Sequence, residues 1–349
     1  MRQTRLLVSI VVSAVSLVLA ALGIDWSRVG QVFEQADLRY LALATIALLG
    51  FVVARSVRWR ILLGDRVGLR TVFAVTNIGY LVSNVFPFRL GDPTRAVIVA
   101  LGRTVPLSTA LSTVVVERTL DMFVVVVLLG ATLPFVSDAG WTRVAGLVGG
   151  GASIVALIIF FVLARWPQLG QRVVRHVTAH TPSLNKDRWH RAIDGALEGF
   201  AALGSPSRLI TTAAWSLVAW ACSVGFYRAV LQSFVDSPTW LQAAFLTCAI
   251  SFAVALPSSP GALGVFQTVA RYMLQVPFGI RGEQAVSVAF GAHALMYVMM
   301  CLLGILGLAQ LNLSFASLRR AVGSAVSRVD DPSSIALVSE GVSTVSGEE

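Results

Sequence analysis

Glu117, Arg118 and Asp121 sit inside a run from Thr104 to Ser137 that carries no other charge. On insertion scales, a charged residue at the centre of a membrane helix costs roughly 2.5–3.5 kcal/mol, so three of them call for partners. Glu117 and Asp121, four apart, share one helical face, and Arg118 reaches Asp121 three residues on. The nearest further charges are Arg89, Asp92 and Arg95 in the segment NVFPFRLGDPTRA, which follows another uncharged stretch from Thr71 to Phe88. Together the six formal charges cancel. Two chemistries fit such a set. One is a buried ion-pair network that only fixes helix packing. The other is an anion site, because the planar arginine fork binds phosphate bidentately and Arg89, Arg95 and Arg118 supply three forks. An anionic headgroup that replaced a carboxylate as an arginine's partner would enter the membrane at reduced electrostatic cost.

A second constellation is PSSPGALGVF, from Pro257 to Phe266. Pro257 and Pro260 end one helix. Gly261 and Gly264 permit close backbone approach where the next begins with free N–H groups and a positive dipole end, which suits a phosphate. A simple kink is the plainer account. Asn84 precedes the first proline break, at Pro87. Other candidates are weak. His176 and His180 are four apart with no third metal ligand in sight, and His293 in an apolar run reads as a hydrogen-bonded core residue. Cys222, Cys248 and Cys301 lie in separate apolar runs and form no disulfide framework. No GxxxxGK[ST] phosphate loop is present. Neither cofactor nor metal is expected.

The elements that must position these residues are helices in a bilayer. Of 349 residues, 56% are hydrophobic and only 13% charged, against about 25% charged in soluble domains. The net charge of +9 comes from arginines at the ends of apolar runs, the positive-inside pattern rather than a nucleic-acid surface. Arg55, Arg58, Arg60, Arg66 and Arg70 close the second apolar run, from Leu38, and are assigned to the cytoplasmic end. Leu6–Ile24 reads as a retained first helix. The expected fold is an all-α polytopic membrane protein with about six full transmembrane helices and two broken or re-entrant helical hairpins entering from opposite faces. The hairpins fall at Thr71–Arg103 and Ser237–Ala270. Glu117 lies ten residues into its helix, about 15 Å along the axis. Residues 1–315 form one transmembrane domain with a cytoplasmic loop at 165–208, and 316–349 a disordered cytoplasmic tail. Both termini are placed in the cytoplasm and the chain in the cell membrane.

NVFPFRLGDPTRA, VVVERTLDMFVVVVLL and PSSPGALGVFQ, in this order and with this separation, resemble three signatures of the lysylphosphatidylglycerol synthase transmembrane-region family. That family includes the flippase half of the bacterial multiple-peptide-resistance factor. The resemblance runs from about Leu6 to Leu311. It implies that Asn84, Pro87, Arg89, Gly91, Asp92 and Arg95 match the first signature, Glu117, Arg118 and Asp121 the second, and Pro257, Pro260, Gly261 and Gly264 the third. Asp92 stands where the family often has Glu, and Ala262 and Gln267 where it often has Gly and Glu. The tail after Leu311 is too short for the aminoacyl-transfer domain of bifunctional members, so lipid aminoacylation is not expected. The implied activity is non-enzymatic: translocation of an anionic or glycosylated lipid in cell-envelope biogenesis. Two alternatives stay open, a membrane enzyme acting on polyprenyl-linked or phospholipid substrates and an accessory subunit of an envelope-lipid synthase. A homo-oligomer is open as well.

Overall fold

The computed structural model describes residues 14–86, 90–102, 104–136, 205–255 and 260–314. They are helical, with no strand among them: α1 (14–21), α2 (Trp26–Glu34), α3 (Leu38–Leu62), α4 (Leu69–Val85), α5 (Gly91–Leu101), α6 (Leu107–Thr132), α7 (Pro206–Phe234), α8 (Trp240–Ala255), α9 (Val265–Phe278) and α10 (Gly282–Gln310). Local chemistry sets the boundaries. The Asp25 carboxylate caps α2, Asp37 caps α3 and the Ser205 hydroxyl caps α7, each satisfying backbone N–H groups that the first turn leaves free. Pro106, with φ −59°, leads into α6. Phe86, which precedes Pro87, is extended at φ −103° and ψ 143°, as the clash between a proline ring and a helical predecessor requires.

Three of these helices are long and apolar enough to cross a membrane: Leu38–Leu62, Ser207–Phe234 and Gly282–Gln310. At 26 residues α6 matches them in length but carries the central charges. α7 starts at Pro206, two residues before the end expected of the polar loop. The return span at 144–164, the remainder of that loop and the tail lie outside the described residues, as do Arg89 and Pro257.

Two apolar cores flank the site. One gathers Phe226, Leu231, Leu246, Phe266, Leu274 and Ala289 from α7 to α10 around Ala44 and Leu48 of α3. The other packs Trp59 and Leu62 of α3 with Val72, Val75, Ala96, Val116 and Leu120 of α4, α5 and α6. α3 therefore belongs to both. α4 and α5 pack against each other, and Gly91 makes their contact possible. A Cβ there would run into the Gly79 carbonyl oxygen and the Ser83 hydroxyl. Closeness at Gly91 sets Arg95, one turn further on, against α4.

Candidate functional site

α6 carries Glu117 and Asp121 on its inner face, and α3 meets them with Arg55 and Arg58, three residues apart on its own face. Arg55 Nη2 donates to Glu117 Oε1 at 2.5 Å and to Asp121 Oδ2 at 2.9 Å. Arg58 donates to Glu117 Oε1 at 3.0 Å, to Asp121 Oδ1 at 2.8 Å and to the Ser216 hydroxyl of α7 at 3.1 Å. From α5, Arg95 Nη2 reaches Glu117 Oε2 at 2.5 Å, while its guanidinium lies over the Trp59 ring, 4.6 Å from the centroid. Glu117 and Arg58 are fully buried. Such an assembly exists only because each charge has partners, since the bare cost of burying one ion is several kcal/mol.

The outer edge is different. Arg118 and Asp92 form a bidentate pair, with Nε and Nη2 donating at 2.8 and 2.7 Å, and their side chains stay 32% and 27% exposed. Arg118 also lies 3.5 Å from Asp121, and Arg95 3.5 Å from Asp92. The cluster thus grades from a sealed interior to an accessible rim. Among the described residues, four arginines against three carboxylates leave a formal excess of one positive charge, because Arg55 and Arg58 join the cluster.

A cavity of about 190 Å³ opens beside the cluster. Arg55, Arg95, Arg118 and Asp92 form its charged wall, Thr76, Tyr80 and Asn84 line it from α4, and Gly261, Phe266, His293 and Tyr297 face it from the other side. The second proline-glycine segment therefore meets the first. Gly261 has φ +65°, and a Cβ on it would come 2.9 Å from the Tyr297 ring and 3.6 Å from the Asn84 carbonyl oxygen; a side chain is excluded there by conformation and by space. The turn is held by a neutral chain of hydrogen bonds. Gly264 N–H donates to Gln267 Oε1 at 2.7 Å, Gln267 Nε2 pairs with His293 Nδ1 at 2.7 Å, and His293 Nε2 pairs with the Gly261 carbonyl at 2.8 Å. Because the Gln267 amide nitrogen can only donate and the carbonyl only accept, His293 carries its proton on Nε2. The ring also stacks on Phe266 at 4.6 Å.

Of the residues picked out by sequence, Asp92, Arg95, Glu117, Arg118 and Asp121 come together in one network, and Asn84 and Gly261 join them at the cavity. Pro260 begins a short 3₁₀ turn through Ala262. Gly264 holds the N-cap of α9, and its N–H is already taken by Gln267. His293 is hydrogen-bonded in the core as expected, and it faces the cavity too. Sequence reasoning missed Arg55 and Arg58, which had been given to the cytoplasmic end of their helix. Their spacing was the available signal: two arginines three apart on one face are a match for two carboxylates four apart on another.

Comparison with known proteins finds relatives at low identity. The chain is 22% identical over 352 aligned residues to glycosyltransferase AglD of Haloferax volcanii, covering 90% of this chain and 56% of that protein. It thus spans little more than half the length of that relative. A UPF0104 membrane protein of Methanothermobacter thermautotrophicus is 22% identical across 83% of this chain and 90% of its own length. No solved structure matches. The family described as "Lysylphosphatidylglycerol synthase TM region" matches residues 6–304, and by that extent the chain, a helical membrane protein, belongs to it.

Proposed function

We propose that the protein carries an anionic amphiphile across the cell membrane, its headgroup passing through the cavity while its acyl or prenyl chains remain in lipid. The observation that carries this reading is the asymmetry of the cluster. Glu117 and Asp121 hold the buried arginines, whereas Arg118 and Asp92 stand at an accessible rim beside a cavity whose charged wall has three arginines and one carboxylate. A headgroup oxyanion takes the place of Asp92 on the Arg118 fork, and partner exchange offsets its desolvation. In this reading the two breaks are re-entrant hairpins that approach from opposite faces and meet at Asn84 and Gly261, and the chain makes six crossings with both termini cytoplasmic.

Reconstitution tests it. Arg118→Gln in proteoliposomes loses most translocation of a fluorescent anionic phospholipid while the protein stays folded, since the pair is only half-buried and Asp92 keeps Arg95 as a neighbour at 3.5 Å. Wild-type rates in the folded variant would remove the arginine-headgroup mechanism. A second reading, an enzyme acting on lipid-linked sugars, is favoured by one observation, the glycosyltransferase name of a relative that this chain matches over 56% of its length. Turnover of radiolabelled polyprenyl phosphates with and without EDTA separates the two.

A further inference from the structure

Three polar atoms on residues that line the cavity make no hydrogen bond within the protein: Thr76 Oγ1, Tyr80 OH and Arg95 Nε, the last with only Asp92 Oδ1 nearby, at 3.5 Å. Thr76 is 1% exposed and Arg95 3%, so leaving these groups unpaired is costly. Thr76 is the telling case. Many helical threonines turn their hydroxyls back on the carbonyl four residues earlier, as Thr45, Thr94, Thr132 and Thr247 do, although Thr212, outside the cavity, also leaves its hydroxyl without a partner. Thr76 does not, although that geometry is open to any helical threonine. Thr76 and Tyr80 are four apart and share the face of α4 that looks into the cavity, and a Cβ added at the intervening Gly79 would lie 3.6 Å from the Arg95 stem. The three atoms thus belong to one wall.

All three donate, and Arg95 Nε can do nothing else. Their common ligand is an acceptor with several oxygens, and the positive excess of the cluster makes it an anion. Size narrows the class. A cavity of about 150 Å³ takes up benzene; on that scale about 190 Å³ accommodates a phosphate group with roughly three further atoms.

We propose that Thr76, Tyr80 and the Nε–H of Arg95 grip the phosphate of a lipid headgroup, of a phosphatidic-acid-like or lipid monophosphate class, in preference to a glycolipid headgroup that has no phosphate. This rests on the carrier reading above and narrows its cargo.

The test uses the purified full chain in detergent and follows thermal stabilisation as a binding isotherm. The probes are dioleoyl phosphatidic acid, glucosyl diacylglycerol, which has no phosphate, and inorganic phosphate. Phosphatidic acid stabilises saturably, and the other two do not at matched concentration. Thr76→Val and Tyr80→Phe each weaken phosphatidic acid binding about tenfold, the equivalent of one charged hydrogen bond. Neither lowers the melting temperature of the lipid-free protein, because neither hydroxyl has a partner in the fold. Equal stabilisation by the glucolipid, wild-type affinity in both variants, or inorganic phosphate binding as well as the lipid would each overturn the proposal. The carrier reading fails separately: phosphatidic acid bound through Thr76 and Tyr80 with no translocation by the wild type would sink transport and leave the phosphate grip standing.

Discussion

Replacing Glu117 by Gln is the sharpest probe of the division between a sealed interior and a working rim. The substitution keeps the shape of the side chain and removes one charge. Glu117 accepts from Arg55 and Arg58 on one oxygen and from Arg95 on the other. Whichever way a glutamine amide turns, its NH2 group faces a guanidinium that can only donate. The formal excess of the cluster rises from one positive charge to two, inside a region that water does not reach. Breaking a buried ion pair from one side costs about 3–5 kcal/mol, and at about 2 °C per kcal/mol for a large domain the melting temperature falls by about 6–10 °C. Arg118→Gln provides the contrast. Its pair with Asp92 is about one-third exposed, so its loss costs no more than about 1 kcal/mol, or about 2 °C. Thermal unfolding of the purified proteins in one detergent, followed by intrinsic tryptophan fluorescence, reads both. A double-mutant cycle with Arg95→Met adds a check: the second substitution costs less in the Glu117→Gln background than in the wild type, with a coupling of about 1–3 kcal/mol. A Glu117→Gln protein that melts within about 2 °C of wild type, or an Arg118→Gln protein that falls as far as Glu117→Gln, would refute the graded cluster.

Two more changes address the frame around the site. Gly91→Ala puts a methyl group against the Gly79 carbonyl and the Ser83 hydroxyl. Forcing α4 and α5 apart costs about 1–3 kcal/mol and displaces Arg95, so melting temperature and anionic-lipid translocation drop together; a variant that transports normally would show that the close contact is dispensable. Arg271→Met removes donors to the carbonyls of Leu19, Ala20 and Leu22 at 3.1, 3.0 and 2.8 Å, which close the end of α1. Hydrogen exchange within 14–22 then speeds up while α3 and α7 keep their protection, and unchanged exchange would assign the anchoring of α1 to its apolar contacts alone.

Much of the site was legible because charge inside an apolar run is conspicuous. Glu117, Arg118 and Asp121 could be found from the surrounding hydropathy, and Asp92 and Arg95 from their place next to a proline break. The breaks themselves were announced by Pro87 and by the Pro260-Gly261 pair, whose backbone demands are local. What stayed hidden depends on which helix faces which. Arg55 and Arg58 sit toward the end of a span, where arginine has an ordinary electrostatic reason to be, and only the approach of α6 turns them inward. The hydroxyls of Thr76 and Tyr80 are unremarkable in sequence, since helical hydroxyls commonly bond to their own backbone. Gln267 and His293, 26 residues apart, acquire a shared role only when α9 folds back on α10.

That closed circuit from Gly264 through Gln267 and His293 to Gly261 has a further consequence. Every group in it is uncharged and already has a partner, so this side of the hollow presents aromatic rings and a glycine surface with no appetite for an ion. All the attraction comes from the opposite side. If the carrier reading holds, an occupant is polarised like a plug in a keyed socket, its oxyanion turned toward α3, α4, α5 and α6 and its hydrocarbon root toward Phe266 and Tyr297, and cargo arriving from either leaflet would have to adopt that one orientation before it could leave.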